Sequence, residues 1–170
     1  VLKGNQVTFE FPKGYNKSYN LIIDPVIVFA SLSGSTADNW GFSATYDAAG
    51  NLYGGGITNG LGYPTTTGAF QLTYGGGSAT SVMPCDITIS KFSSNGNSLI
   101  YATYIGGNAD EMPHSMIVDA NNNLIIAGKT LSNNYPTLAT SLIPNFIGGQ
   151  SDIFITKLNA TGTALIGSTF

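Results

Sequence analysis

Apolar and polar residues alternate along this chain in short runs broken by glycine- and asparagine-rich turns. Near the start, Val7, Phe9 and Phe11 are apolar with Thr8 and Glu10 between them, the period-two pattern of a half-buried strand. PKGYNKSYN is a turn-rich connector, LIID a second strand, and Pro25 a boundary, because proline cannot donate to a ladder. VIVFASL (26–32) is predicted as a lead-in strand. The pattern then predicts strands at FSATYD (42–47), NLYGGGI (51–57), DITISKF (86–92) and SLIYATY (98–104), and again at SMIVD (115–119), NLIIAGK (123–129), DIFITKL (152–158) and ALIGSTF (164–170).

The second set of four copies the first. ADNWGFSATYDAAGNLYGGGIT (37–58) recurs as ADEMPHSMIVDANNNLIIAGKT (109–130), 72 positions on. Tyr63-Pro64-Thr65 recurs as Tyr135-Pro136-Thr137 at the same offset, and Gly76-Gly77 as Gly148-Gly149. The offset drops to 66 at Asp86 and Asp152, so six extra residues lie around Thr80 to Cys85 in the first copy. Each unit is two hairpins joined by a long loop. Gly50 and Asn122 hold equivalent turn positions, and both residue types tolerate a left-handed backbone. Asp47 and Asp119 are placed to accept hydrogen bonds from their own turns. Four antiparallel strands repeated about every seventy residues predict an all-β fold, a partial β-propeller of four-stranded blades. A parallel β-helix has far shorter repeats. The expected divisions are 1–25, the end of a preceding β-domain and linker; 26–104, the lead-in strand and first blade; and 105–170, the second blade.

Composition narrows the function classes. Charged residues make up 9% of the 170, against about 25% in a typical soluble domain. There is no arginine and the net charge is −3, so the basic patch that nucleic-acid binding requires is missing. No apolar run reaches the ~18 residues of a membrane span. Cys85 is the sole cysteine, which rules out an internal disulfide. It is read as a small apolar filler, since no cation stands near it in sequence to activate the thiol. The chain opens at Val1 with no signal-peptide pattern, and is expected to be a piece of something longer.

YATYIGGNADE, VDANNNLIIAGKT, YPT and DIFITKLNATGTALI together resemble the SBBP-type β-propeller repeat of bacterial secreted proteins, over roughly Phe29 to Phe170. The first copy departs from the pattern at Gly34-Ser35 and in the insertion that carries Cys85. The stretch before it resembles the junction that precedes such propellers in large surface proteins of Bacteroidota, which commonly carry a sorting domain for the type IX secretion system. The resemblance implies a secreted or cell-surface binding or spacer module, cargo of that system, with no shared enzymatic activity. It implies as partners the remaining blades of the same polypeptide, and surface proteins or glycans.

A residue present in both copies is read as structural, because a catalytic site is not normally built twice. Asp38/Asp110, Asp47/Asp119, Asp86/Asp152 and Lys91/Lys157 fall under that filter, the last two pairs as strand-edge or cross-strand partners. His114 is the natural acid–base group near neutral pH. Yet alternation sets it across the strand from Glu111, unless Pro113 turns the chain. Asp110, Glu111 and His114 lack a characteristic metal spacing, and no calcium loop, P-loop or nucleophile elbow appears. No catalytic residue, metal or cofactor is expected. Trp40, Tyr63, Phe70, Tyr74 and Tyr135 fall in loops expected on one face of the blades. Tyr63 and Tyr135 occur in both copies and are read as pinning their loops. The ligand-binding candidates on that face are Trp40, Asn39, Tyr74, His114 and Glu111. The competing expectation is a glycan-active or other hydrolytic propeller with its site on the same face, which requires paired carboxylates.

Overall fold

The computed structural model describes residues 13–19, 30–77 and 84–170, with the backbone of two short strands, β1 (Leu2–Lys3) and β2 (Gln6–Val7). These two pair antiparallel, Leu2 with Val7 and Lys3 with Gln6. The predicted LIID strand, the Pro25 boundary, Val26–Phe29, and most of the insertion around residue 80 lie outside the described residues.

Two four-stranded antiparallel sheets follow, each built from consecutive strands. The first holds β3 (Asn39–Tyr46), β4 (Leu52–Thr58), β5 (Asp86–Phe92) and β6 (Leu99–Ile105). The second holds β7 (Glu111–Val118), β8 (Leu124–Thr130), β9 (Asp152–Leu158) and β10 (Leu165–Thr169). The described residues contain no helix. This is the architecture of propeller blades, as the repeat predicted.

Two predicted boundaries are corrected. The innermost strands begin at Asn39 and Glu111, three or four residues before the expected start. A bulge explains the difference. The register slips between Gly41 and Ser43, and between Pro113 and Ser115. One residue, Phe42 or His114, is thus left out of each ladder, and pairing continues to Asn39 with Thr58 and Glu111 with Thr130. The lead-in strand is also not seen where it is described. Ala30, Ser31 and Leu32 are irregular and pair with none of the sheets; a strand needs a ladder partner to hold its backbone groups.

The hairpin turns are as predicted. Gly50 has φ 80° and Asn122 φ 62°. Asp47 Oδ1 accepts the Ala49 and Asn51 amides at 3.1 and 2.9 Å. Asp119 Oδ1 accepts those of Asn121 and Asn123 at 2.8 and 2.9 Å.

The inner strand of the second blade, β7, packs across β3, β4 and β5 of the first. Tyr53, Ile87, Ile89 and Ile105 from the first blade meet Met116, Leu124, Ile126 and Phe154 from the second in one buried core. Met116 lies over Gly55, where a Cβ would come within 2.4 Å of its sulfur. The bare backbone at Gly55 is therefore what lets the blades close to this distance. Tyr63, Ala102 and Tyr104 form a smaller cluster beneath the first long loop.

Candidate functional site

Both blades carry an ion pair at the turn end. Lys91 Nζ is 3.1 Å from Asp47 Oδ2, and Lys157 Nζ is 2.7 Å from Asp119 Oδ2. The expected cross-strand role of the two lysines is thus met, with the aspartates of the turns as partners. The first pair is buried and carries an addition. Tyr53 Oη lies 3.2 Å from Asp47 Oδ2 and 3.3 Å from the Asn122 carbonyl of the second blade. Lys91 Nζ sits 4.6 Å from the Tyr53 ring centre. Burial pushes the Asp47 carboxyl up, but the Asn51 hydrogen bonds and Lys91 outweigh it and hold the group at about 2.

The opposite end, where the long loops emerge, gathers three acids at the junction of the blades. Asp86 begins β5, Glu111 begins β7, and Asp110 precedes it. Asp86 and Glu111 are both fully buried. Glu111 is well supplied with donors: Thr130 Oγ1 donates to Oε1 at 2.6 Å and the Gly107 amide to Oε2 at 2.9 Å. Its own amide donates to the Cys85 carbonyl of the first blade at 2.9 Å. Asp86 has less support. Its Oδ2 accepts the Gly75 amide at 2.6 Å and Gln71 Nε2 at 3.4 Å, while its buried Oδ1 has no hydrogen-bond partner. Burial pushes the Asp86 carboxyl up to about 8; the Gly75 amide opposes this, and Glu111 and Asp110 reinforce it. Cys85 is buried beside them, and its thiol is pushed up to about 11 by burial and the neighbouring acids. It is a packed thiol, as expected. No group of three or more metal-ligating side chains forms among the described residues.

The five ligand-binding candidates do not come together. Glu111 lies inside the blade junction and not on an accessible face. Tyr74 packs on Tyr104, with ring centres 6.3 Å apart, and its buried hydroxyl, pushed up to about 12 by burial and then Asp86, has no partner. His114 is the bulged residue of β7. It is exposed and borders a hollow of about 400 Å³ with Gly128, Lys129 and Asp152, so it makes no pair with Glu111. Trp40 is not in a loop; it is the second residue of β3, paired with Ile57 and 48% exposed. Asn39 is engaged locally, accepting from Ser33 Oγ at 3.1 Å and donating to the Ala37 carbonyl at 3.0 Å.

Trp40 and Asn39 do share a cleft of about 270 Å³ on the outer face of the first blade. Its floor includes Ala44, Gly54 and Thr88. The equivalent residues of the second blade, Met116, Ile126 and Phe154, fill that space with core. The cleft is thus what remains when large residues of one repeat are small in the other. It was legible in the aligned copies as paired size differences. The two repeated tyrosines do turn inward, Tyr63 Oη to Ser90 Oγ at 2.5 Å and Tyr135 Oη to Thr156 Oγ1 at 2.9 Å.

Residues 100–136 match the family model of the SBBP beta-propeller repeat. The matched stretch runs from the outer strand of the first blade through β7 and β8 of the second, and so contains the Gly106–Glu111 connector. No curated protein matches the chain.

Proposed function

We propose that these blades belong to a non-catalytic binding or structural propeller module of a secreted or cell-surface bacterial protein, carried as cargo of the type IX secretion system. One observation supports the modular reading above the others. Ile87 and Ile89 are fully buried beneath the second blade, whereas Ile153 and Ile155, their counterparts 66 residues on, are 72% and 52% exposed. An apolar sheet face of this kind is an interaction surface. Its partner in this reading is a further blade of the same polypeptide, packing as the second packs on the first. The cell-surface and secretion terms rest on the resemblance of the repeat.

One observation favours the alternative of a hydrolytic propeller. Asp86 and Glu111 are paired carboxyls in unlike environments, which is how acid and base roles are separated in glycosidases. Against it, both are sealed in the junction, with no face for a sugar or peptide. The test is a screen of polysaccharide and peptide substrates between pH 5 and 8, with Glu111→Gln and His114→Ala alongside. No turnover above background is expected. Turnover by the native chain that falls by ~10²-fold or more in either variant, the loss expected of an acid–base group, would establish the enzyme. Fractionation of the producing cells, with and without a working type IX system, tests the secretion term.

A further inference from the structure

The buried acids at the long-loop end have no part in the modular reading. They stand at the only covalent crossing between the two blades, the connector Gly106–Asp110. A Cβ on Gly106 would fall 2.6 Å from Asp86 Oδ1 and 2.7 Å from Glu111 Oε2. The two carboxyls therefore converge from opposite blades on one point beside Gly106, where any side chain would meet both. The titratable groups facing Asp86 are Tyr74 and Cys85 from its own blade and Asp110 and Glu111 from the second. None is a cation. Two buried carboxylates this close cannot both ionise cheaply, so one keeps a proton.

The donors decide which. Burial pushes the Glu111 carboxyl up as well, but the Ser132 and Thr130 side chains and the Gly107 amide oppose it, which makes Glu111 the better supported carboxylate of the two. Asp86 Oδ1 is buried near Glu111 beside Gly106 and receives no donor, so Asp86 is the carboxyl of the pair that stays neutral. We propose that Asp86 is a proton-held latch between the two blades, closed while its carboxyl is protonated and loosened as it ionises against Glu111. The same carboxyl accepts the Gly75 amide of the first blade's long loop, a bond that ionisation strengthens, so the loop stays fastened to Asp86 while the junction loosens.

The direction follows from proton linkage. The folded carboxyl sits near 8 and the unfolded one at 3.8, so the folded state carries the extra proton between those values. The latch is fully held below about pH 4 and is lost as pH rises toward 8.

Hydrogen exchange on the whole chain, corrected for intrinsic rates, reads the opening constant at the Glu111 and Gly107 amides. It is expected to rise by up to about tenfold per pH unit between pH 5 and 7, and to level off near 8. Asp86→Asn, which mimics the neutral carboxyl, is expected to remove that slope. A flat profile in the native chain, or an unchanged slope in Asp86→Asn, overturns the proposal. If Asp86→Asn does not fold, the carbon-13 shift of the Asp86 carboxyl in the native chain decides. A midpoint near 8 supports the latch, and one near 4 overturns it.

Discussion

Asp47 and Asp119 occupy the same turn in two copies, yet they differ in what surrounds them. Asp47 and Lys91 are almost wholly covered, while Lys157 and Asp119 are partly open to solvent. Removing one partner of a buried pair leaves an uncompensated charge, at a cost of about 3–5 kcal/mol. Asp47→Asn is therefore expected to lower the urea midpoint sharply, and Asp119→Asn to leave it nearly unchanged. Asp47 also sets the acid limit. Held at about 2 against 3.8 when unfolded, it contributes fully above about pH 4 and loses that contribution as pH falls through 2. A melting series from pH 6 to 2 checks this, with Asp47→Asn expected to show a shallower acid loss. Gly50, at φ 80°, gives a second contrast. A Cβ there would meet only Ser94 at 3.4 Å, so backbone conformation and not crowding is the obstacle. Gly50→Val is expected to cost about 1–3 kcal/mol by denaturant titration, and Asn122→Gly close to nothing.

At the scale of the element, each long loop is fastened by a tyrosine. Tyr135 stacks on Phe154, with ring centres 4.5 Å apart, and bonds Thr156. Ser168 Oγ then joins Thr156 to the Pro136 carbonyl at 2.8 and 2.6 Å. One side chain thus ties the loop to β9 and, through Ser168, to β10. Tyr135→Ala is expected to cost about 3–5 kcal/mol, the range for deleting a buried aromatic. Tyr135→Phe is expected to cost about 1 kcal/mol for the hydroxyl alone. Thermal melts of the two variants separate packing from hydrogen bonding. A larger loss in Tyr135→Phe than in Tyr135→Ala would contradict this account of the loop.

At the scale of the whole molecule, the outward faces of the two blades differ in kind among the described residues. One carries Ile117, Ile153 and Ile155; the other carries the shallow cleft over Gly54 and Thr88. An exposed apolar sheet face favours association, and repeat arrays are generally stable only from about three units upward. The 170-residue chain alone is expected to self-associate in size-exclusion chromatography with light scattering, and Ile153→Lys with Ile155→Lys to reduce that association. A clean monomer with a cooperative melt and strong amide protection would show that the isoleucine face needs no partner.

The repeated residues by themselves determined most of the architecture. Two offsets located eight strands, and the pairing of glycine with asparagine located the left-handed turns, because those features depend on neighbours close in sequence. What lay beyond the sequence depended on neighbours far from it. Local pattern alone places Trp40 in a loop, because its strand's continuation rests on a bulge, and a bulge is stabilised by the partner strand. The same pattern places Glu111 on an open face, because nothing local announces that Cys85 and Gly106 will close over it. Repetition marks Asp86 as merely structural, since its copy is Asp152. Yet the position equivalent to Glu111 in the first blade is Asn39, so only the junction brings two carboxyls together. Local hydrogen bonding and side-chain period are written in order along the chain; desolvation and charge proximity arise only once two blades exclude water between them.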